Sequence, residues 1–458
     1  MISKSTIFCF LFLINSIFIN AQKEIECNMK LSISHELVKS EKYDTAYESW
    51  SIVNTDCPEL NFAIYVDGEK ILKYKIDNSV GTERVGYIEE LLDLWQNRSK
   101  YYESKTPKGE YQAKACQLMY DYRDDLDKSK QELFACFDTT FETDKETFTH
   151  PKSLYTYFSL VVDLYEKGEK TAAELFNTYD NINEKIQLEI QNYSEKLNVL
   201  LQKQENGEAL NKTEKANKRA YESYLKNYTI IEESIDAISS SKANCDNLIP
   251  LYTKDFNTNK DDSVWLKRAV SRMYHKECTD HELYEKLVKQ YDQVSPSADT
   301  KIYVATVLLK KGKNEEAYKY LEEGYRLETD TYKKSNLAIR IGVIFKSKGQ
   351  YTKARNFLQD AVKLNPSNGR PHLIIADMYS DSAKNCGKDN FYQRAVFWLA
   401  AKEAEKAARL DPTLQKTVSK YVASYEAKVP TKEEIFLREM SGKTIEIGCW
   451  INRSIVVP

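Results

Sequence analysis

Few residues of this chain have the type and spacing that metal binding or catalysis requires. His275, Cys278 and His281 recur at intervals of three residues, so on a helix they would lie near one another and could supply three metal ligands. No fourth ligand is close to them in sequence, and a disulfide bond at Cys278 is the alternative use of that thiol. The sequence also lacks a glycine-rich phosphate loop, a Gly-x-Ser-x-Gly motif and a His-Glu-x-x-His motif. We therefore predict a protein that is not an enzyme and uses no metal or cofactor.

The first 21 residues predict export. One lysine is followed by an apolar run from Ile7 to Ile19 and then by Ala21, which is the pattern of a secretory signal peptide with cleavage near Ala21. The alternative is a membrane anchor, but an apolar run of about 13 residues is too short to span a bilayer comfortably. No later segment is apolar enough to cross a membrane. We expect the mature protein in the periplasm or at the cell surface, without an integral membrane span.

The cysteines agree with export. Cys9 lies in the predicted signal peptide, and eight cysteines remain in the mature chain. An even number of cysteines in an exported protein indicates disulfide bonds, for which eight residues allow 105 pairings. The disulfide candidates are Cys27, Cys57, Cys116, Cys136, Cys245, Cys278, Cys386 and Cys449.

The stretch from Ser335 to Asn368 indicates the kind of helical element from which the chain is built. Apolar and small residues recur at spacings of three and four on both sides of the turn Gly349–Tyr351, and Asn365-Pro366 ends the second run. This pattern predicts two short amphipathic helices that pack face to face. The residues concerned are Ala338, Ile341, Gly342 and Phe345 in the first helix and Ala354, Leu358, Ala361 and Leu364 in the second.

This 34-residue pattern resembles the tetratricopeptide (TPR) repeat. One such hairpin cannot bury its apolar face alone, so neighbouring repeats are expected. Asp299–Thr329 has the same register, and Gly369–Tyr379 begins a further repeat whose second helix is delayed by 12 residues. We predict three tandem repeats over residues 298–414, with an insertion around Asp381–Asp389.

Hairpin geometry narrows the cysteine pairing. Cys27 and Cys57 would lie at the same end of an antiparallel helical hairpin, and Cys245 and Cys278 bracket another hairpin in the same way. Cys116 and Cys136 are about equally far from a polar turn near residues 124–127. Cys386 in the insertion then remains for Cys449 in the tail. We predict these four bonds.

The rest of the chain completes the predicted architecture. Tyr179, Ile186, Tyr193 and Leu200 recur every seven residues, which is typical of a coiled coil. This long hairpin either packs along the repeats or projects to touch a partner. Leu60–Asp77 is compatible with a helix or with a pair of short strands. We predict an all-α, TPR-like helical-hairpin solenoid with a long antiparallel coiled-coil hairpin and a small β-containing C-terminal cap. The predicted segments are the signal peptide at 1–21, N-terminal hairpins at 22–178, the long hairpin at 179–244, the solenoid at 245–429 and the cap at 430–458.

The predicted function is binding. The net charge of −3 and the absence of a basic patch argue against a nucleic acid partner. The TPR resemblance implies a concave groove, formed by the first helix of each repeat, that accepts an extended peptide or a helix. Its members by that resemblance include Ile302, Thr306, Lys310, Asn336, Ile339, Val343, Lys346, Arg370, Leu373 and Asp377. The TPR clamp that captures carboxylate tails has Lys and Asn where this chain has Ile302 and Thr306, so that specificity is not expected. The alternative occupant of the groove is the chain's own C-terminal tail.

Most of the mature chain resembles exported TPR proteins of Gram-negative bacteria, a resemblance that brings no known activity. It is carried by the predicted signal, the paired cysteines, the segments Asn385–Gly387 and Ala395–Trp398, and the ending Ile447–Asn452. The prediction is a scaffold that binds another envelope or secreted protein. The alternatives are a secreted or periplasmic hydrolase on a helical scaffold and a purely structural envelope protein.

Overall fold

The computed structural model describes the backbone of residues 4–458 and the side chains of residues 22–458. The predicted signal peptide at residues 1–21 and its cleavage point lie outside the described side chains. Two compact units divide the chain, residues 1–178 and 179–458, and their boundary falls inside one helix. Most of the described chain is helical, and the strands of that part form a two-stranded sheet near the C-terminus. The predicted fold class, an all-α helical repeat protein, is confirmed.

The first unit is a succession of antiparallel helical hairpins. A short 3₁₀ turn at Glu103–Lys105 separates its fourth and fifth helices. The helices are α1 (Lys4–Lys39), α2 (Tyr43–Asp56), α3 (Ala63–Asp77), α4 (Gly81–Tyr101), α5 (Lys108–Asp121), α6 (Lys130–Thr143), α7 (Pro151–Glu166) and the start of α8 (Ala172–Glu205).

The second unit contains the rest of α8, the long helix α9 and eleven shorter helices. A 3₁₀ turn at Pro412–Leu414 precedes α19. The elements are α9 (Lys212–Ser240), α10 (Cys245–Asn259), α11 (Ser263–His275), α12 (Glu282–Val294), α13 (Ala298–Lys310), α14 (Asn314–Leu327), α15 (Thr331–Ser347), α16 (Tyr351–Leu364), α17 (Arg370–Cys386), α18 (Asn390–Leu410), α19 (Gln415–Glu426), α20 (Lys432–Leu437), β1 (Thr444–Ile447) and β2 (Arg453–Val456).

Small residues let the paired helices of each repeat approach closely. Gly342 in α15 faces Leu358 in α16, and a Cβ placed on Gly342 would lie 2.9 Å from Leu358 Cγ. Ala338, Ala354 and Ala361 are fully buried beside it. Gly349 adopts φ +71° in the turn between the helices, a backbone conformation that favours glycine. The hairpin predicted at Ser335–Asn368 therefore forms as α15 and α16.

Local sequence also sets where helices begin. Asn211 and Glu214 form a capping box at the start of α9, because each side chain accepts a hydrogen bond from the other residue's backbone N–H. Ser129, Ser297 and Thr431 start α6, α13 and α20 in the same way. These caps satisfy backbone donors that have no partner inside the helix.

One detail of the structure resolves an alternative that the sequence left open, and three differ from what the sequence predicts. Leu60–Asp77, which is compatible with helix or strand, contains helix α3. Cys27, which the predicted pairing places at the end of the first hairpin, lies inside α1, because that helix begins at Lys4. The insertion at residues 381–389 adds no separate element, because α17 extends to Cys386 and α18 starts at Asn390. The first arm of the long hairpin is continuous with the preceding repeat helix in α8, since no glycine or proline interrupts Ala172–Glu205.

The C-terminal strands cap the apolar core of the last repeat. Strands β1 and β2 pair antiparallel, with Ile445 opposite Ile455. Ile445, Ile447 and Ile451 are buried in one cluster with residues of α13–α19. Trp450 contacts the rings of Tyr351 and Tyr379 at 5.2 and 5.5 Å between ring centroids.

These partners of the tail are core residues or their half-buried neighbours, so the tail acts as the predicted cap. Further support comes from Arg355 in α16, which donates a 2.6 Å hydrogen bond to the Ile451 carbonyl oxygen. The alternative that the tail fills the groove is not favoured by these contacts.

Candidate partner-binding groove

The predicted groove is formed by α13, α15 and α17, the first helices of three consecutive repeats. Ion pairs join these helices side by side. Arg340 of α15 donates to Asp299 of α13 at 3.0 Å, and Lys346 of α15 pairs with Asp377 of α17. The ten residues named above are called the groove candidates, and the structure brings most of them to this one surface.

The centre of the groove is partly apolar. Val343 of α15 has 44% of its surface exposed. Ile339 and Leu373 are half-buried and pack on the core below. Exposed apolar surface beside charged groups is suited to a polypeptide, which offers both kinds of side chain.

One end of the groove carries a cluster of charge. Lys346 forms its ion pair with Asp377 and also lies 3.8 Å from a carboxylate oxygen of Asp381, one turn further along α17. The side chains of Asp377 and Asp381 are 37% and 49% exposed. Lys346 and Asp377, which the TPR resemblance places on the groove separately, are therefore direct partners.

Ile302 is a correction to the predicted groove. Its side chain is fully buried in the core of the second unit and cannot contact a partner. The reason is its packing against α14: a Cβ on Gly324 would lie 3.1 Å from Ile302 Cδ1. Because Gly324 has no side chain, Ile302 of α13 packs closely against α14. The position that faces the ligand in the TPR clamp therefore belongs to the core in this chain.

The remaining groove candidates lie at the edges. Thr306 Oγ1 lies 3.1 Å from the hydroxyl of Tyr284 and is half-buried. Lys310 is exposed and pairs with Asp280. Asn336 is half-buried near the start of α15, and Arg370 is exposed at the first position of α17.

Sequence reasoning missed the best-enclosed cation of this surface. The Arg340 guanidinium lies 5.6 Å from the ring of Tyr274 and 5.0 Å from the ring of Tyr303. Such cation–π contacts stabilise a cation that is partly removed from water. Tyr274 belongs to α11 and Tyr303 to α13, so nothing in the local sequence around Arg340 identifies them as neighbours.

The possible metal ligands have other roles. Cys278 is bonded to Cys245. His281 caps α12, because its Nδ1 accepts from the backbone N–H of Leu283 at 3.2 Å. Burial lowers the pKa of His275, assisted by the charge of Arg340. Within residues 22–458, no group of three or more histidine, cysteine, aspartate or glutamate side chains is arranged to hold a metal ion.

The long hairpin of α8 and α9 lies against the repeats instead of projecting freely. Inside the hairpin, the ring of Tyr193 stacks on Tyr224 at 4.6 Å. Asn198 of α8 donates to Asn365 Oδ1 and accepts from the backbone N–H of Ser367, both at 2.9 Å, in the loop before α17. Of the two predicted arrangements, the structure therefore shows the one in which the hairpin packs along the stack.

The same hairpin is joined to α11 by charge. Arg272 of α11 is buried and lies 2.5 Å from Asp180 of α8. Arg268 donates two hydrogen bonds of 3.0 Å to the carboxylate of Glu184. Burial raises the pKa of Asp180, and the nearby positive charge of Arg272 opposes that rise.

The four disulfide bonds in the structure join the same pairs that the sequence analysis predicts. They are Cys27–Cys57, Cys116–Cys136, Cys245–Cys278 and Cys386–Cys449. None of the described helices combines the length and the apolar character needed to span a bilayer.

Comparison with known proteins identifies one repeat by sequence. The tetratricopeptide repeat family matches residues 336–368. No match was found among curated proteins.

Solved structures with a similar course of the chain share little sequence with it. A tetratricopeptide repeat protein from Parabacteroides merdae is 11% identical, with 68% of this chain and 97% of that chain covered and a TM-score of 0.25. Yeast Tom70 is 13% identical, with 91% and 90% covered and a TM-score of 0.29. A human IFIT1 dimer with m7Gppp-AAAA is 11% identical, with 86% and 89% covered and a TM-score of 0.29.

The sequence match and the structure agree on the central hairpin. Residues 336–368 lie within α15 and α16 and the loop that follows them. Their small residues are buried at the helix contact, as the repeat requires. This segment of the chain is a tetratricopeptide repeat.

Proposed function

We propose that this protein is a non-enzymatic scaffold of the bacterial envelope that binds a peptide or helix of another envelope or secreted protein in its groove. The observation that carries the proposal is the surface of α13, α15 and α17, where exposed apolar and charged side chains from consecutive repeats lie side by side. Tetratricopeptide repeats generally mediate contacts between proteins, which supports binding as the function.

The proposed location rests on different support. The predicted signal peptide directs export, and four disulfide bonds are typical of an oxidising compartment. A periplasmic or cell-surface scaffold agrees with both features.

Photo-crosslinking in intact cells tests the groove. A benzoylphenylalanine introduced at Val343 would stand at the centre of the groove, where the native side chain is 44% exposed. The matched control is Leu327, which is 49% exposed at the end of α14, a second helix of a repeat. We expect a discrete crosslinked protein from Val343 and none from Leu327, identified by mass spectrometry.

The outcomes separate the alternatives. A crosslink from both positions to the protein itself would favour a self-associating structural protein. A partner captured equally from both positions would show that the groove is not the binding surface. No crosslinked species from Val343 would contradict the scaffold proposal.

A further inference from the structure

We propose that a cavity at the turn between α15 and α16 binds a sugar ring, which stacks on Tyr351 and Trp450. The cavity has a volume of about 260 Å³ and is lined by residues 349–353 and by Trp450 of the C-terminal cap. None of the groove candidates lines it. The inference therefore goes beyond the proposed function and does not depend on a partner in the groove.

Two aromatic rings from distant parts of the chain form one wall of the cavity. Tyr351 is the first residue of α16, and Trp450 lies in the turn between β1 and β2. Their ring centroids are 5.2 Å apart, and the ring planes are inclined at 45°. Both side chains are half-buried and line the cavity, so part of their surface remains open to a ligand. A sugar ring has one face made mainly of C–H groups, which packs on such an aromatic surface.

Trp450 is held in this position by its surroundings. Its indole Nε1 donates a 2.9 Å hydrogen bond to Ser382 Oγ, and the Arg355 guanidinium lies 5.4 Å from its ring. The preceding residue, Cys449, has φ +51°, a conformation that residues other than glycine rarely adopt. Backbone strain of this kind is often found at ligand sites. Because the single polar atom of the indole is already paired, the ring surface is the part of Trp450 that can bind a ligand.

Hydrogen-bonding side chains stand beside the aromatic wall. Gln350 Nε2 donates to the hydroxyl of Tyr318 at 2.8 Å, which leaves Gln350 Oε1 as an acceptor. Thr352 and Lys353 are exposed and line the same cavity. The threonine hydroxyl can donate and accept, and the lysine ammonium donates. The cavity therefore offers donors and acceptors together, which the hydroxyl groups of a sugar require.

The composition of the lining distinguishes a sugar from other small ligands. No aspartate or glutamate is among the lining residues, so a cationic ligand would meet no opposite charge there. An apolar side chain of a peptide would use the two rings but none of the hydrogen-bonding groups. A proline-rich peptide is the principal rival, because proline also packs on aromatic surfaces. Sites that combine an aromatic surface with a few polar groups fix both the position and the orientation of a small ligand.

Saturation-transfer difference NMR on the full mature chain tests this assignment. The probes are the methyl pyranosides of glucose, galactose, mannose and N-acetylglucosamine at about 10 mM each, because a small open cavity is expected to give a millimolar Kd. We expect transfer to at least one of them, stronger at the axial ring protons of one face than at the methyl group. That pattern follows if this face stacks on Tyr351 and Trp450. A hexaproline peptide is tested in parallel and should show no transfer.

Three variants connect the signal to the cavity. Thr352→Val removes one exposed hydroxyl and should weaken binding about three- to tenfold, because one neutral hydrogen bond is lost. Thr331→Val is the matched control, since Thr331 is exposed at the first position of α15 and does not line the cavity; it should bind as the wild type does. Tyr351→Leu keeps an apolar side chain but removes the aromatic ring, and it should weaken transfer to the axial ring protons.

The contrary results are equally clear. No transfer to any of the four pyranosides, or equal binding by the Thr352→Val variant and the wild type, would overturn the sugar site. Transfer to hexaproline alone would assign the cavity to a peptide instead. Each of these results would leave the scaffold proposal intact, because the crosslinking test at Val343 examines a different surface.

Discussion

At the residue scale, small side chains decide how closely the repeat helices approach. Gly342 has no room for a side chain, because the added Cβ would meet Leu358 Cγ at 2.9 Å and Cδ2 at 3.0 Å. Leu358 is itself fully buried, so it cannot move into solvent. Gly86 in α4 is a useful contrast, because a Cβ there would have no neighbour within 4 Å.

We predict opposite effects of alanine at these two glycines. Gly342→Ala should lower the free energy of unfolding by about 1–3 kcal/mol through overpacking. Gly86→Ala should raise it by about 0.5–1 kcal/mol, because alanine is the better helix former and fits without a clash. Urea denaturation followed by circular dichroism measures both, and a neutral Gly342→Ala would contradict the close helix contact.

Two half-buried glutamates predict pH effects of opposite sign. Burial raises the pKa of Glu232 in α9, and the charge of Asp236 adds to the rise. Burial also acts to raise the pKa of Glu403 in α18, but its hydrogen bond to His372 and the charges of His372 and Lys406 outweigh burial, so that the pKa is lowered.

The sign of each effect follows from linkage. A raised pKa in the folded state stabilises the fold below the unfolded pKa, and this contribution is lost as the pH rises through the folded pKa. Glu232→Gln should therefore be more stable than the wild type at neutral pH. Glu403→Gln should be less stable there, because a lowered pKa stabilises above the unfolded value. Both differences should shrink toward zero as the pH falls to about 4 or below, measured by urea denaturation across pH. Differences independent of pH would refute this account.

At the element scale, the attachment of α8 to the repeats depends on a buried ion pair. Arg272 and Asp180 are both largely buried at 2.5 Å. Removing one member of such a pair leaves the other charge buried without compensation, whereas replacing both with apolar residues is often nearly neutral.

Arg272→Met should lower the free energy of unfolding of the second unit by about 3 kcal/mol. The expected loss lies at the low end of the range for a broken buried ion pair, because Arg268 remains 3.7 Å from Asp180. The double variant Arg272→Met/Asp180→Leu should recover much of this loss. The comparison requires denaturation curves of both variants, and a double variant no better than the single one would argue against the ion pair as the cause.

Helices with a regular spacing of apolar residues can be predicted from the sequence, but the residues at which they begin and end are harder to predict. The helices of residues 298–414 follow from apolar residues at spacings of three and four and from turns at Gly349 and Pro366. By sequence alone, the run of apolar and polar residues at 60–77 fits a helix and a strand equally. Packing against α2 and α4 selects the helix: Ile64, Tyr65, Ile71 and Leu72 are all fully buried.

At the scale of the whole molecule, disulfide bonds fix distant parts of each unit. The bond between Cys386 and Cys449 closes a separation of 63 residues and holds the C-terminal strands on the last repeat. Constraining so long a loop reduces the entropy of the unfolded chain.

We expect the variant Cys386→Ser/Cys449→Ser to lose about 2–4 kcal/mol of stability in the cap. Amide hydrogen exchange in residues 444–457 should accelerate, whereas exchange in α2 and α3 of the first unit should stay at the wild-type rate. Unchanged exchange in the strands would show that Trp450 and the buried isoleucines hold the cap without the bond. Peptide mapping without reduction checks all four pairs, and eight free thiols would contradict both the pairing and the proposed export.

The sequence by itself determined the repeated helical hairpin, the C-terminal cap and the pairing of the cysteines. The hairpins and the cysteine pairs at their ends depend on contacts between residues near in sequence, so spacing, small residues and turn residues are sufficient to specify them. The pair Cys386–Cys449, 63 residues apart, followed only as the pair that remained. The tertiary structure decided which side chains meet across neighbouring hairpins. The burial of Ile302 and the enclosure of Arg340 by two tyrosines depend on the angle and offset between successive repeats. That geometry is set by the summed packing of many side chains, and no local pattern encodes it.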